Sequence, residues 1–230
     1  IESSSGQQVA TYTADTTSPN LVAFDLDLTA ETLTLTFDET VRSSTVDIRA
    51  SKLQSSSSSS GAVTFVFSGD TGRSADGTVI TVGLNVGDLN EIKRLTGLAT
   101  ETSNTYVSIS STFASDMSGN AVSEISDSSG QGVGTFTADS TQPQLVSFDL
   151  NMDSGVLTLT FDETVLASSL STSAITLLSS PDGDVFSLGV ESSTSSDGTV
   201  LTIVISEAKL NALKATRSIA TSNIDHVTSD

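Results

Sequence analysis

The sequence predicts an all-β fold made of tandem units, each carrying one short helix. Three observations point there. The stretch from Asp15 through Pro19, Phe24 and Asp25 to Leu33-Thr-Leu35-Thr-Phe37-Asp38-Glu39-Thr40-Val41 recurs 124 residues on, from Asp139 through Pro143, Phe148 and Asp149 to Leu157-Thr-Leu159-Thr-Phe161-Asp162-Glu163-Thr164-Val165. Within each copy Leu and Thr alternate at period two, the mark of a half-buried strand. Only one stretch per copy has helical spacing. An array of one module is read from the module and from its repetition.

Taken in order, residues 1–14 read as the final strand of a preceding repeat. Gln7, Val9, Thr11, Tyr12 and Thr13 match Gln131, Val133, Thr135, Phe136 and Thr137. A complete repeat spans 15–138, and 139–230 is a second repeat truncated at its C-terminal strands. That truncation leads us to expect that the polypeptide continues, or that a neighbouring chain supplies the strand. Strand 20–28 should turn Val22, Phe24, Leu26 and Leu28 inward, and strand 32–38 Leu33, Leu35 and Phe37. A third strand is predicted over 46–54. The six serines Ser55 to Ser60 read as a flexible surface loop, matched by the turn Ser179-Ser-Pro181-Asp-Gly183 in the second copy. Strands follow at 62–67 and, after Asp76-Gly77 and Asp197-Gly198, at 79–84 and 200–205. Leu89, Ile92 and Leu95 fit a short helix capped by Asp88, with Ser206 in that role in the second copy. Thr105–Ile109 is a strand, and Asp116 to Val122 a turn with a closing strand.

The chain has 230 residues, 28 Asp and Glu against 9 Lys and Arg, and a formal net charge of −19. Such an acidic surface disfavours nucleic acid and anionic membranes. No cysteine is present, which excludes disulfides, thiol catalysis and Cys-ligated zinc. No apolar run reaches membrane-spanning length, so no membrane insertion is expected within this segment.

Asp-x-x-x-Pro at Asp15 and Asp139, Phe37-Asp38-Glu39-Thr40-Val41, and the late Asp116-Met-Ser-Gly119-Asn120 turn occur in an order and at a spacing that resembles the bacterial Ig-like domain of the S-layer (SbsA-like) type. The resemblance covers nearly all of 15–124 and most of 139–230. Thr40 and Thr164 stand where that family carries proline, and the short helix is not a standard part of it. The resemblance implies Ig-like β-sandwich units in long tandem arrays at the cell surface or outside the cell, in surface layers, adhesins and wall proteins.

The chain is read as no enzyme. Its one histidine, His226, has no counterpart in the first copy, so it reads as a surface residue. No general base recurs beside the serines. Asp25 and Asp27 could form an acid pair, but the second copy has Asn151 at the second position. The chemistry these residues suit is Ca²⁺ binding, since hard cations collect several oxygens. Candidate ligands are Asp38, Glu39, Asp162 and Glu163 past a strand end, Asp15 and Asp139 at the junction, and Asp116 and Asn120 in a carbonyl-rich turn. The alternative is that Asp38 is a solvated strand end, Glu39 bonds backbone amides, and Asp116 with Asn120 forms an Asx-type turn. Ser55, Ser56, Ser57, Ser58, Ser59 and Ser60 are candidate O-glycosylation sites.

The function expected from repetition is a structural segment of an extracellular fibre, stalk or surface layer. It would assemble end to end, with copies of itself or adjacent repeats of the same polypeptide as partners. The alternative is an adhesin module that binds carbohydrate, such as extracellular polysaccharide, or a cell-surface ligand through the loops near 55–61 and 179–184.

Overall fold

The computed structural model describes residues 6–180 and 182–219, and the backbone of 226–229. Packing divides the chain into two units, Ile1–Asp88 with Thr96–Asp139, and Leu89–Leu95 with Ser140–Asp230. This division places Leu89–Leu95, which lie within the 15–138 repeat of the sequence, with the second unit. The period-two segments form strands and the Gly, Asp and Ser clusters between them form turns, giving an all-β, sandwich-like architecture.

In the first unit the strands are β1 (Leu21–Asp27), β2 (Thr32–Val41), β3 (Ser51–Gln54), β4 (Thr64–Val66), β5 (Asp70–Arg73) and β6 (Gly77–Leu84). Helix α1 (Val86–Arg94), which begins in this unit but whose residues from Leu89 on are assigned to the second, and then β7 (Tyr106–Ile109), β8 (Gln131–Gly132) and β9 (Phe136–Thr137) follow. They form two sheets, β5-β6-β2-β1-β9 and β4-β3-β7-β8. Phe24, Leu26, Leu33, Leu35, Ile80 and Val82 from the first sheet and Leu53 and Val107 from the second are all fully buried.

The second unit has β10 (Leu145–Asn151), β11 (Val156–Val165), β12 (Ile175–Leu178), β13 (Val185–Ser187), β14 (Ser192–Ser193), β15 (Gly198–Val204), α2 (Glu207–Ala215) and β16 (His226–Ser229). Its sheets run β10-β11-β15-β14 and β13-β12-β16. Leu157, Leu159 and Ile203 share one apolar cluster with Ile175 of the other sheet. The register repeats with the sequence: Phe24 opposes Leu35 as Phe148 opposes Leu159, and Leu26 opposes Leu33 as Leu150 opposes Leu157.

Several expectations change. A bulge between Leu21 and Ala23 shifts the register of β1. Leu21 therefore turns inward and Val22 is 53 % exposed, opposite to simple alternation. The same bulge recurs at Leu145/Ser147, leaving Val146 exposed. Residues 46–50 are not strand. Two 3₁₀ turns, Ser43–Thr45 and Ile48–Ala50, replace it and bury Val46 and Ile48 between them. Asp76 fastens the first of these turns, accepting from Ser43 N at 2.8 Å, and Asp197 does the same for Ala167 N at 2.8 Å. The closing stretch near Ala121 and Ile125 makes only single bridges to Ser115 and Ile109. Residues 6–14 form no strand, and every one of them is exposed.

The helix caps also differ from expectation. Asn85 Oδ1 accepts from Asp88 N at 2.9 Å, while Asp88 itself accepts from Ser68 N. Ser206 precedes α2 but donates its hydroxyl to Glu191 and does not cap the helix.

Candidate acidic site beside the Phe-Asp-Glu-Thr-Val bulge

The repeated Phe-Asp-Glu-Thr-Val motif is a break in a ladder. Strand β2 pairs with β6 at Thr36–Val79 and again at Val41–Gly77, so four residues of β2 face one of β6. The second unit repeats the break between Thr160 and Val165. Such a bulge re-aims the side chains within it. On its other side β2 stays fastened to the segment before β1: Asp38 N donates to Asn20 O at 3.1 Å.

Asp38 and Glu39 are thereby sent different ways. The Asp38 carboxylate accepts from Asn20 N and Asn20 Nδ2, each at 2.8 Å. These bonds hold its carboxyl below the ordinary aspartate range. Asp162 repeats the arrangement, accepting from Gln144 N at 2.7 Å. Both aspartates lie within the bulge and are hydrogen-bonded to the segment before the neighbouring strand.

Glu39 instead faces Asp15 and Asp116, and carboxylate oxygens of the three lie within 4.8 Å of one another. Asp116 is 2 % exposed and is placed by a backbone bridge to Val41. Its turn is built as an Asx turn. Asp116 Oδ1 accepts from Ser118 N and Asn120 N, and Oδ2 from Asn120 Nδ2 at 2.7 Å. Gly119 supplies the positive φ of +94° that the turn requires. Burial pushes the Asp116 carboxyl up, but the bonds from the Asn120 side chain and from the backbone of Asn120, Gly119 and Ser118 outweigh it and hold it low. Asn120 also donates to Asp15 O at 3.3 Å, so it orients two members of the cluster through its amide nitrogen.

Glu39 has no such support. Its Oε1 is buried without a hydrogen-bond partner. Desolvation, and then the charges of Asp15, Asp116 and Asp38, push its carboxyl above the ordinary glutamate range. Of the eight candidate ligands, three come together. Asp38 and Asp162 are used elsewhere, Asn120 presents a donor, and Asp139 is half-buried. In the second unit Glu163 occupies the position of Glu39, and Lys93 Nζ lies 2.6 Å from its Oε2. The same carboxylate position is met by an ammonium in one copy and by two more carboxylates in the other.

Three carboxylates at this separation, one with an orphaned buried oxygen, suit a hard cation such as Ca²⁺, whose oxygen ligands sit roughly 2.3–2.6 Å from the metal. Asp15, Glu39 and Asp116 would hold it. Glu39→Gln gives a direct check. Because the folded-state pKa of Glu39 is raised, its favourable contribution is complete below the ordinary glutamate range and is lost as pH rises through the raised value. Near neutral pH, without divalent ions, Glu39→Gln should raise Tm by a few degrees. Below about pH 4 the two proteins should melt together. Added CaCl₂ should raise the wild-type Tm and leave the variant unmoved. A wild type indifferent to both calcium and chelator would rule out the cation.

The remaining candidates fall elsewhere. The side chain of His226 lies outside the described residues. Asp27 Oδ1 accepts from Thr29 N and Ala30 N, and Asn151 Oδ1 from Asp153 N and Ser154 N. That turn needs a side-chain oxygen and no charge, which explains Asn151 at the second copy's position. The serine run is fastened down, contrary to the flexible loop expected from its composition. Gln54, fully buried, donates Nε2 to Ser56 O, Ser57 O and Asp127 O. Ser59 Oγ donates to Asp127. In the second copy the matched turn over 179–184 closes through Gly183 N donating to Ser180 O, with Pro181 outside the described residues.

Compared with protein-family models and with curated proteins, the chain matches none. Among the described residues no helix is long and apolar enough to cross a membrane.

Proposed function

We propose that the chain is a load-bearing structural segment of an extracellular fibre, stalk or surface layer, made of Ig-like β-sandwich units. The observation that carries this reading is the pairing of the first unit's opening and closing strands. Strand β1 lies parallel to β9, with Leu26 opposite Phe136 and Asp27 opposite Thr137. Leu26 N donates to Thr135 O and Leu28 N to Thr137 O, both at 3.0 Å, and Gly134 N donates to Phe24 O at 2.8 Å. Asp25 Oδ1 adds a bond from Thr135 N.

Parallel pairing matters when tension enters at the two ends of a unit. The chain enters at the start of β1 and leaves at the end of β9, which lie at opposite ends of the paired segment. A pull along the chain therefore loads these bonds together in shear. An antiparallel terminal pair would open one bond at a time. The repeated register supports the same reading, because an array passes tension through every unit. A divalent ion at Asp15, Glu39 and Asp116 would tie the segment entering the unit to the bulge of β2 and to the late turn.

Electron microscopy of the protein, at rising concentration and with calcium present, tests assembly. The expected result is filaments or sheets with a repeat of one unit or one chain. Dispersed single particles under all conditions, with an oligosaccharide bound in a loop pocket, would replace this reading with the adhesin one.

A further inference from the structure

We propose that the Glu163-Thr164 bulge is a docking socket for a helix with an Asn-x-x-Lys face, and that α1, seated in it through Asn90 and Lys93, makes the stability of the second unit depend on the folding of the first. The inference goes beyond the load-bearing reading above and does not rest on it. Thr164 lies in the gap of the β11–β15 ladder and past the register of β10. Its half-buried N–H therefore needs an acceptor from another element. Asn90 supplies one: its Oδ1 accepts from Thr164 N at 2.9 Å, and its main-chain oxygen accepts from the Thr164 hydroxyl at 2.8 Å. One helical turn on, Lys93 Nζ lies 2.6 Å from Glu163 Oε2, and the two side chains are only 15 % and 11 % exposed. An ion pair so shielded is little weakened by salt. Losing one partner costs more than losing both.

The two helices of the chain show which residues this contact uses. Of the nine residues of α1, only Leu89, Asn90 and Lys93 recur unchanged in α2, as Leu210, Asn211 and Lys214. Leu89 is 2 % exposed, and burial accounts for its recurrence. Asn90 and Lys93 stand three residues apart on one helix face, and that face is the one that meets the bulge. Glu91 and Arg94 pair only with each other on the surface, and α2 has alanine at both positions, Ala212 and Ala215. The receiving motif, Phe-Asp-Glu-Thr-Val, is also identical in the two copies. Helix face and bulge are thus the matched halves of one joint.

The first unit holds the start of this helix. Asn85 Oδ1 accepts from Asp88 N at 2.9 Å, Asn85 Nδ2 donates to Gly69 O at 2.9 Å, and Asp88 accepts from Ser68 N at 2.8 Å. Those residues all belong to the first unit, whereas Leu89–Leu95 pack with the second. A helix of nine residues is marginal on its own in water. When the first unit unfolds, α1 loses its capped start, and Asn90 and Lys93 lose the spacing that lets both reach the bulge. The second unit then gives up the bonds to Thr164 and the ion pair at Glu163. The helix acts on the second unit as a ligand that is present only while the first unit is folded.

Calorimetry on the whole chain tests this, with dichroism of Tyr12 and Tyr106, both in the first unit, marking which transition is which. Phe24→Ala weakens the first unit from within its core. In an otherwise wild-type chain it should pull the second transition down by several degrees along with the first. In a chain carrying Asn90→Ala and Lys93→Met, the second transition should begin several degrees lower and stay in place when Phe24→Ala is added. If Phe24→Ala keeps the first unit from folding, Phe24→Leu serves for the same comparison. The Thr164 amide reports on the joint directly, and its hydrogen exchange should quicken by about tenfold or more in Asn90→Ala. Lys93→Glu combined with Glu163→Lys should recover much of what either change loses alone. A second transition indifferent to Phe24→Ala in the wild-type background would overturn the proposal. So would a coupling that survives the loss of both Asn90 and Lys93. Either result leaves the β1–β9 pairing, and the load-bearing reading built on it, untouched.

Discussion

Phe24→Ala is expected to lower the stability of the first unit by about 3–5 kcal/mol, and Phe148→Ala to lower that of the second by distinctly less, about 1–3 kcal/mol. The two phenylalanines hold the same position in the repeat, 124 residues apart, and face the same partners, Leu35 and Leu159. They differ in cover. Phe24 is fully buried, and beside it Gly134 N donates to Phe24 O. Phe148 is partly buried and has no such neighbour among the described residues. Truncation leaves a closed cavity in the first case and a cleft that solvent can reach in the second. The two tyrosines of the chain, Tyr12 and Tyr106, both belong to the first unit, so near-ultraviolet tyrosine dichroism follows that unit alone. Calorimetry supplies the transition of the other. Equal losses would mean that the second unit is as well covered as the first.

Gln54→Ala is expected to cost about 2–3 kcal/mol, unusually large for a polar residue with no role in a reaction. Among the described residues the Gln54 amide is the only side-chain donor to the carbonyl oxygens of Ser56 and Asp127, and it also serves Ser57. Truncation would strand Ser56 O and remove a second bond from Ser57 O and Asp127 O, which keep the backbone donors Gly130 N and Ser59 N, in a pocket that Gly130 closes, where a Cβ would come within 2.6 Å of the amide nitrogen. Amide exchange should quicken across 55–61 and 127–130 in the variant. Normal protection there would refute the role given to Gln54. In the second copy the position is Leu178, a side chain that can fasten nothing.

The repeat made most of the fold legible. It made legible the strands β1 and β2 with their mates and the short helix of each copy, because Leu-Thr alternation and the 3.6-residue spacing of Leu89 and Ile92 are direct readouts of burial. What escaped is backbone irregularity. Val22 looked inward by counting, and a bulge turned it out. Val46 and Ile48 alternate as a strand would, but 3₁₀ turns bury both. The bulge of Phe37 to Thr40 has no composition signal of its own, although it decides that Asp38 binds Asn20 while Glu39 faces Asp15 and Asp116. Those three acids were all named from sequence; which of the eight candidates would meet depended on the bulge. The serine run misled because composition reports neither the buried Gln54 nor the acceptor Asp127. The parallel β1–β9 pair was invisible for a different reason. A two-residue strand separated from its mate by more than a hundred residues leaves no periodicity.

Single-molecule pulling across the first unit is the most direct measurement. The chain has no cysteine, so Ala14→Cys and Gln142→Cys provide unique handles within these 230 residues. The shear geometry of β1 against β9 predicts one abrupt rupture at a well-defined force, followed by a gain in contour length of about 400 Å, near the extended length of the intervening residues. Asp25→Ala, which removes the bond from Thr135 N, should lower that force without changing the length. A unit that yields gradually at low force, with no discrete rupture, would contradict the load-bearing account.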